Sequence, residues 1–489
     1  MARACFFGRE AELSQLEGLW EKRVPSLVTC RGRRRIGKST LIEEFARRSG
    51  ARFLKLEGKA PEPGMSNKVQ LATFLEQLRR QTKTRVRSLA NWSEAFAALD
   101  AELDAAKTVV LLDEISWMGK YDVGFPGELK IAWDNLFKKH DRTIVFLCGS
   151  VSTWIAKNIL NNTGFVGRAS CNFVVRELPL DACVKFWGRK AARTATRDIV
   201  DVLSVTGGVP RYLEEIDPSL SADENVRRMC FLPQALLRDD FTKIFNVVFG
   251  ENAVTKRTIL EHLSECPLTV AEIAEALGVE RSGTISTHLE DLEVAGFVSE
   301  DAGLVPGTDR TPKQMRYRVC DNYTRFFLKY IQPNARTIDS GSFRFNALET
   351  LKGWETMLGL QFENLVIANL PRLLPALGMG NVLLKSAAPY RQSATRRRKG
   401  CQIDLLLQAD RKVCVVEIKR RATIGREVID EVESKVRSLS LPAGVSVRTA
   451  LVYEGTLAKS VEAEGYFDAL VPVESLMYGS EKELAFGRR

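Results

Sequence analysis

A phosphate-binding loop between a strand and a helix is the feature that most constrains this chain. Leu27–Cys30 has the bias of a buried strand, and Leu41–Phe45 continues as a helical apolar pattern. Between them stands G-R-R-R-I-G-K-S-T, which fits the pattern G-x-x-x-x-G-K-[ST]. The glycines let the backbone approach a polyphosphate, the lysine reaches the β- and γ-phosphates, and the serine hydroxyl suits Mg²⁺. The segment predicts a nucleotide site that consists of Gly32, Ile36, Gly37, Lys38, Ser39 and Thr40.

A second buried strand ends in two acidic residues. Thr108–Leu112 is a continuous apolar run, typical of a strand covered on both faces in a parallel sheet. Asp113 and Glu114 follow it, at the edge where open α/β sheets bind their ligands. We expect Asp113 to share Mg²⁺ with Ser39, and Glu114 to act as the general base that activates water.

Length and charge limit the remaining architecture. A chain of 489 residues suggests about three domains. Its 71 basic and 61 acidic residues give a net charge of +10, which favours a polyanionic partner such as DNA. The ten cysteines form no C-x-x-C pair and the three histidines are far apart, so no zinc site is indicated. The N-terminus lacks an apolar signal core and no apolar run approaches membrane-spanning length, so we expect a cytoplasmic protein without a membrane partner.

Further short motifs occur in order around the phosphate loop. Gly8-Arg9-Glu10 precedes the first strand, and the apolar strand Thr143–Cys148 leads to Ser150. Arg168 follows a glycine-containing turn, and Pro210 follows two glycines. With the phosphate loop and the L-L-D-E segment, this order resembles the archaeal-type ATPase family, which belongs to the AAA-related, STAND-like P-loop ATPases.

The resemblance implies ATP as the nucleotide and assigns roles to these motifs. Ser150 would sense the γ-phosphate or water, and Arg168 would stabilise γ-phosphate charge. The residues that the resemblance implies beside the adenine are Gly8, Arg9, Glu10 and Pro210. Each motif also has a plainer interpretation as a helix start, a turn or a surface arginine.

The middle of the chain has the pattern of a winged helix-turn-helix. Val270–Val279 is a short helix stopped by glycine, and Ser282–Val294 is the candidate recognition helix. Gly296–Val298 begins a wing strand, and Asp309–Arg318 is a basic wing loop. We expect DNA contacts from Arg281, Ser282 and Arg316, although such domains in ATPases also serve as lids or interaction modules.

The last part combines an acidic helix with a strand hairpin. The helix Trp354–Leu370 contains Glu363, and a short turn joins Gln402–Leu407 to Val413–Lys419. Residues two apart in a strand share a face, so Glu417 and Lys419 point to one side, where Asp404 can join them. Two carboxylates there can hold a divalent cation, and the lysine can orient the attacking water.

This pattern resembles the PD-(D/E)xK nuclease superfamily. The matching residues are Asp404, the segment Glu417-Ile418-Lys419 and the helical acid Glu363, while Ile403 stands where a proline is expected. The resemblance implies DNA cleavage with Mg²⁺ or Mn²⁺ bound by Asp404 and Glu417. Three arginines in a nearby loop would contact phosphates, or would simply be solvated: Arg396, Arg397 and Arg398.

The sequence thus predicts an α/β protein: a P-loop parallel-sheet domain, a helical lid with a winged helix-turn-helix, and a small α/β PD-(D/E)xK-like domain. The predicted domains are residues 1–180, 181–250, 251–332 and 343–489, with a linker before the last. We expect an ATP-hydrolysing protein that binds and cleaves DNA. One alternative is an ATP-dependent DNA-binding switch with a non-cleaving last domain. Another is an interaction protein that forms homo-oligomers on ATP.

Overall fold

The structure, a computed structural model, describes residues 6–150, 152–345, 347–394 and 399–479. The chain forms two compact units. The first unit is Arg9–Arg176, and the second unit comprises Met1–Gly8 and Glu177–Arg489. Within the described ranges, no helix has both the length and the apolarity to cross a membrane.

The first unit is built on a five-stranded parallel sheet with the strand order β2-β3-β4-β1-β5. Its strands are β1 Ser26–Arg31, β2 Arg52–Glu57, β3 Thr108–Asp113, β4 Thr143–Cys148 and β5 Ala169–Val174. Its α-helices are α1 Glu10–Glu21, α2 Lys38–Ser49, α3 Asn67–Gln81, α4 Trp92–Asp100, α5 Ile115–Met118, α6 Phe125–Asn135 and α7 Ser152–Ile155.

The central strands of this sheet are buried along their whole length. Every residue of β3 and β4 is buried, as their continuous apolar sequences predict. Because the strands are parallel, the carboxyl ends of β1, β3 and β4 meet at one edge of the sheet. That edge holds the phosphate loop and the segments that contain Asp113, Glu114 and Ser150. The predicted parallel sheet is therefore confirmed.

The second unit contains two smaller sheets. A three-stranded sheet, in the order β6-β8-β7, is formed by β6 Leu268–Thr269, β7 Val298–Glu300 and β8 Arg316–Val319. A five-stranded mixed sheet, in the order β13-β12-β11-β10-β9, is formed by β9 Ser386–Gln392, β10 Cys401–Gln408, β11 Lys412–Ile424, β12 Ser446–Leu457 and β13 Ala469–Pro472.

Helices surround both sheets of the second unit. They are α8 Leu180–Val184, α9 Thr196–Thr206, α10 Pro210–Leu213, α11 Ala222–Cys230, α12 Leu236–Phe249, α13 Ala253–Glu265, α14 Val270–Ala276, α15 Gly283–Val294, α16 Asn322–Phe326, α17 Ala335–Asp339, α18 Trp354–Ala368, α19 Leu370–Ala376, α20 Glu427–Ser438, α21 Lys459–Glu464 and α22 Val473–Tyr478. The helix α17 lies within the predicted linker before the last domain.

The winged helix forms where the sequence predicts it. Thr269 caps α14 through a reciprocal capping box with Glu272. Gly278 has a φ of +66°, a left-handed conformation that suits a glycine after a helix. The recognition helix α15 follows, and β7 and β8 pair antiparallel to form the base of the wing.

A buried glutamine joins the three predicted regions of the second unit. Gln361 of α18 donates to the carbonyl of Ser204 in α9 at 3.0 Å and to that of Asn322 in α16 at 2.7 Å. Its side-chain oxygen accepts from Arg325 at 2.7 Å. A buried amide costs free energy unless its groups are paired, so these bonds specify how the three helices pack. The predicted lid, winged helix and last domain accordingly belong to one compact unit.

The wing is docked on the mixed sheet. The buried side chain of Gln408, at the end of β10, donates to the carbonyl of Thr308 at 2.7 Å and accepts from the N–H of Gly307 at 3.1 Å. Gly307 has a φ of +72°, and a Cβ there would lie 2.5 Å from Cδ of Pro442. Only glycine therefore fits this contact without strain. The start of the wing loop is thus held by the last domain.

An ion-pair cluster adds a further link between α9 and the mixed sheet. The guanidinium of Arg420, directly after Lys419 in β11, pairs with Asp201 of α9. Its Nε lies 3.4 Å from Glu454 of β12. Burial raises the pKa of Asp201 to about 7, although the positive charge of Arg420 opposes that rise.

Candidate active sites

The phosphate loop of the first unit wraps around its own lysine. Lys38 is buried, and its Nζ donates to the carbonyls of Gly32 and Arg33, each at 3.0 Å. Gly32 has a φ of +147°, and a Cβ there would lie 2.3 Å from the carbonyl oxygen of Val175. Gly37 also has a left-handed φ, of +84°. Both glycines of the motif are therefore required by backbone geometry, and the ammonium lies inside the loop.

The two residues predicted to hold Mg²⁺ are in contact. The Ser39 hydroxyl, in the first turn of α2, donates to Oδ2 of Asp113 at 2.6 Å. Lys55 of β2, which the sequence analysis did not identify, lies 3.5 Å from the same oxygen. A hydroxyl and a carboxylate beside a phosphate loop are the oxygen donors that Mg²⁺ uses when substrate phosphates and water complete its shell. Ser39 and Asp113 therefore fit this cation.

Glu114 and Ser150 also lie together. Oε2 of Glu114 accepts from the backbone N–H of Ser150 at 3.0 Å and from its hydroxyl at 2.9 Å. Glu114 has a φ of +47°, which is uncommon outside glycine and places it in a sharp turn after β3. Such backbone strain is concentrated at functional sites. The predicted base and the predicted sensor thus form one hydrogen-bonded pair.

The arginine of the Gly8-Arg9-Glu10 motif is hydrogen-bonded to the backbone of the phosphate loop. Arg9 is buried, and its guanidinium donates to the carbonyl of Ile36 at 3.2 Å and to that of Arg176 at 2.7 Å. It also pairs with Glu12 at 3.0 Å. The structure therefore shows Arg9 bonded to the backbone of the phosphate loop, whereas a role beside the adenine stays a prediction.

Three other residues that were predicted to contact the nucleotide lie in different parts of the structure. Glu10 starts α1 and is exposed. Pro210 opens α10 in the second unit, where its predicted adenine contact stays a prediction. Arg168 donates three hydrogen bonds to Asp134, one to Oδ1 and two to Oδ2, with N–O distances of 2.8–3.0 Å. This carboxylate already orients the guanidinium, so a role for Arg168 at the γ-phosphate requires that it leave Asp134.

A cleft of about 750 Å³ in the second unit brings the predicted nuclease residues together. The hairpin register pairs Leu405 of β10 with Val416 of β11. Just beyond this pair, Oδ2 of Asp404 accepts from the backbone N–H of Ile418 at 2.9 Å, and Asp404 and Glu417 line the same cleft. All four predicted residues line the cleft: Glu363, Asp404, Glu417 and Lys419.

The carboxyl groups of this cleft are crowded and buried. Glu417 is fully buried, and Asp404 is 7% exposed. Burial, with the nearby charges of Glu417 and Glu363, raises the pKa of Asp404 to about 8. Burial also raises the pKa of Glu363, against the opposing charges of Arg318 and Arg325. The site thus crowds carboxyl groups together, and their burial and mutual repulsion favour the protonated forms of Asp404 and Glu363.

Two lysines approach the same glutamate. Lys419 Nζ lies 2.7 Å from Oε1 of Glu417 and 2.8 Å from Glu431 of α20. Lys435, also on α20, lies 2.6 Å from both oxygens of Glu417. Glu431 and Lys435 are four residues apart, so they share one face of the helix. That spacing was the available sequence signal for these two residues, which the sequence analysis missed.

The donor chemistry of the cleft suits a magnesium-type ion. Among residues 6–150, 152–345, 347–394 and 399–479, no group of three or more His, Cys, Asp or Glu residues is arranged to hold a metal. Mg²⁺, however, is usually bound by one or two carboxylates, while water and substrate phosphates complete its shell. Asp404 and Glu417 meet that requirement, because they are neighbouring oxygen donors within one cleft.

The predicted DNA-binding residues differ in their availability. Arg281 and Ser282 are exposed at the start of the recognition helix α15. Arg316 is instead engaged within the domain, since its guanidinium bonds both oxygens of Glu272 at 2.8 and 2.9 Å and the carbonyl of Pro267. The remaining predicted contacts lie outside the described residues: Arg396, Arg397 and Arg398.

Comparison with known protein families supports two parts of the prediction. Residues 6–216 match the model of an ATPase domain found predominantly in Archaea. Residues 254–300 match the helix-turn-helix model of bacterial regulatory proteins of the arsR family. The chain therefore contains an archaeal-type P-loop ATPase domain and an arsR-type winged helix-turn-helix. Both matches end by residue 300, so the nuclease-like assignment of the last domain stays a prediction.

Individual relatives are distant. The chain is 22% identical to an uncharacterized protein of Methanocaldococcus jannaschii over 428 residues, which are 86% of this chain and 89% of the relative. A Walker-type ATPase of Pyrococcus abyssi shares 16% identity and a TM-score of 0.44, over 66% of this chain and 96% of the other. The ORC2 protein of Aeropyrum pernix shares 12% identity and a TM-score of 0.43, over 69% and 97% respectively.

Proposed function

We propose that this protein is an ATP-hydrolysing, DNA-binding enzyme whose last domain cleaves DNA with the help of Mg²⁺ or Mn²⁺. The observation that carries the cleavage proposal is the shared cleft of Asp404, Glu417, Lys419 and Glu363. These residues come from two strands and from a helix that is distant in the sequence. Packing of the fold alone does not require four charged residues to meet at one surface. Buried groups with shifted pKa values in a cleft are typical of catalytic sites.

The side chains of the cleft have distinct proposed roles. Asp404 and Glu417 would hold the divalent cation, which stabilises charge on the phosphate and lowers the pKa of bound water. Lys419 would orient the attacking water and offset phosphate charge. Glu363, from α18, would accept a hydrogen bond from water at the edge of this group.

The ATPase proposal rests on the first unit. Lys38 and the glycines of its loop would bind the β- and γ-phosphates, while Ser39 and Asp113 would position Mg²⁺. Glu114, oriented by Ser150, would accept a proton from the attacking water. We further propose that ATP binding or hydrolysis regulates the cleavage site, as the fusion of the two domains suggests.

A second candidate is a DNA-binding switch without cleavage. The observation that favours it is Glu417, whose two oxygens are already bonded by Lys435. A cleft neutralised in this way can bind DNA without holding a cation. In that case the exposed start of α15 would read the duplex while ATP controls the oligomeric state.

Cleavage assays separate the two candidates. The purified full chain would be incubated with supercoiled, linear and single-stranded DNA, with Mg²⁺ or Mn²⁺, and with or without ATP. Cleavage by the native protein is expected to fall at least about 100-fold in Asp404→Asn and in Lys419→Met. Asp410→Asn, an exposed change in the turn of the same hairpin, is the matched control and should cleave normally.

The outcomes are distinct. Absence of cleavage by the native protein under every condition, with DNA still bound, would favour the switch. Cleavage that persists in Asp404→Asn would show that another site, or a contaminant, is responsible. Lys38→Ala tests the ATP connection, because loss of the ATP effect without loss of basal cleavage supports regulation by the first unit.

A further inference from the structure

Helix α20 lines one wall of the cleft and contributes a second lysine, Lys435, which the PD-(D/E)xK pattern does not include. Lys435 Nζ lies 2.6 Å from Oε1 and 2.6 Å from Oε2 of Glu417, while its side chain is 20% exposed. Ser434 and Ser438 line the same wall. The ammonium thus bridges both oxygens of the fully buried carboxylate, which is the position that a chelated cation would take.

The two lysines of the site differ in their other partners. Lys419 has Glu431 as a second carboxylate at 2.8 Å. Within the part of the chain that the structure describes, Glu417 is the only carboxylate within 4.0 Å of Lys435. If Glu417 binds a divalent cation, repulsion between the two positive charges favours departure of an ammonium group. Lys419 keeps a partner in that case, whereas Lys435 is left without one in a solvent-accessible cleft.

We propose that Lys435 is a phosphate-binding residue that also stands in for the divalent cation before it binds. In the metal-free site its ammonium neutralises Glu417, and in the loaded site it turns to a non-bridging oxygen of the DNA phosphate. A lysine stem is long and flexible enough for this exchange, and its compact charge suits phosphate. The inference rests on the proposed nuclease function and adds a residue to that site.

This exchange makes two opposite predictions for one substitution. Lys435→Met removes the ammonium that competes with the cation for Glu417. Mn²⁺ should therefore bind more tightly to this variant, by roughly tenfold. The same change removes a phosphate contact, so binding of a DNA duplex in the presence of non-cleaving Ca²⁺ should weaken. A residue with a merely structural role would not raise one affinity while lowering the other.

The test uses the full chain and two probes. Mn²⁺ alone is titrated by calorimetry into the native protein, Lys435→Met, Lys435→Gln and Glu417→Gln, and a duplex in Ca²⁺ is then titrated by fluorescence anisotropy. Lys435→Gln is included because it keeps a polar contact if the methionine variant folds poorly. Arg437→Met, an exposed change on the same helix, is the control and should alter neither affinity.

Each result supports or overturns the inference. Tighter Mn²⁺ binding together with weaker DNA binding in both Lys435 variants would support it. Unchanged or weaker Mn²⁺ binding in these variants would overturn it. In that case, loss of Mn²⁺ binding in Glu417→Gln would still support the proposed metal site. A native Mn²⁺ signal that survives Glu417→Gln would instead overturn the metal site and, with it, the role of Lys435.

Discussion

Ser150 donates two hydrogen bonds to one carboxylate oxygen of Glu114, from its backbone N–H at 3.0 Å and from its hydroxyl at 2.9 Å. The two residues follow separate strands, β3 and β4, which are neighbours in the parallel sheet. A serine predicted to sense phosphate therefore contacts the predicted base itself. Its effect on hydrolysis would arise from how it orients Glu114.

Substitution of this pair should separate ATP binding from hydrolysis. We expect Glu114→Gln to bind ATP normally and to hydrolyse it about 10²–10⁴-fold more slowly, because the general base is lost. Ser150→Ala should be milder, since the backbone N–H bond to Glu114 remains. Phosphate release and labelled-nucleotide binding measure the two effects, with Ser14→Ala on the exposed face of α1 as the control. An equal loss of ATP binding in Glu114→Gln would contradict the assigned role.

Two predicted DNA-binding arginines should behave differently. Arg281 is exposed before the recognition helix, so Arg281→Ala should weaken binding to duplex DNA and leave the Tm unchanged. Arg316 is committed to Glu272 and the carbonyl of Pro267, so Arg316→Ala should lower the Tm instead. Anisotropy titrations at several salt concentrations and thermal melts provide the measurements. A loss of DNA affinity in Arg316→Ala at an unchanged Tm would show that this ion pair opens on binding.

The docked wing should contribute to stability. Gln408→Leu leaves the N–H of Gly307 and the carbonyl of Thr308 without their buried partner, which should cost about 1–3 kcal/mol of unfolding free energy. Urea unfolding of the full chain measures this loss. Gln402→Leu, an exposed change on the same strand, is the control for the added apolar side chain. If Gln408→Leu is as stable as the native protein, the wing contact is energetically minor.

The ion pair between Asp201 and Arg420 predicts a pH dependence. The pKa of Asp201 rises from 3.8 to about 7 in the folded chain, chiefly through burial. The folded state therefore keeps a proton that the unfolded state releases, so this residue lowers stability as the pH rises from about 4 to about 7. Asp201→Asn should reduce the fall in Tm across that range. Asp141→Asn, at an exposed position, should follow the native curve, and identical curves for all three proteins would refute the shift.

The local sequence predicted the candidate site of the first unit well because its residues stand in short, contiguous motifs. The loop from Gly32 to Ser39 stands between β1 and α2, and Asp113 and Glu114 end a strand whose apolar run is unmistakable. Parallel strands then bring these segments to one edge without further information. The alternation of β10 and β11 likewise predicted that Asp404, Glu417 and Lys419 share a surface.

What the sequence did not reveal depends on contacts between distant segments. Lys435 reaches Glu417 from a helix eighteen residues further along the chain, and no strand periodicity specifies that helix's rotation. Arg168 was predicted from its neighbours alone, whereas its partner Asp134 lies on α6. The docking of the wing depends on Gln408, a polar residue at a strand end whose burial the local pattern does not indicate.

The contact of Gln408 with Gly307 and Thr308 also has an evolutionary consequence. A wing that makes no contact with other domains can be exchanged for the wing of another winged-helix protein. A winged helix of that kind can also be recombined with new neighbouring domains. Here a bulkier residue at position 307 would strike Pro442, so changes in the wing and in the last domain constrain one another. We expect the winged helix and the last domain to have been inherited together, and chimaeras that exchange only one of them to fold poorly.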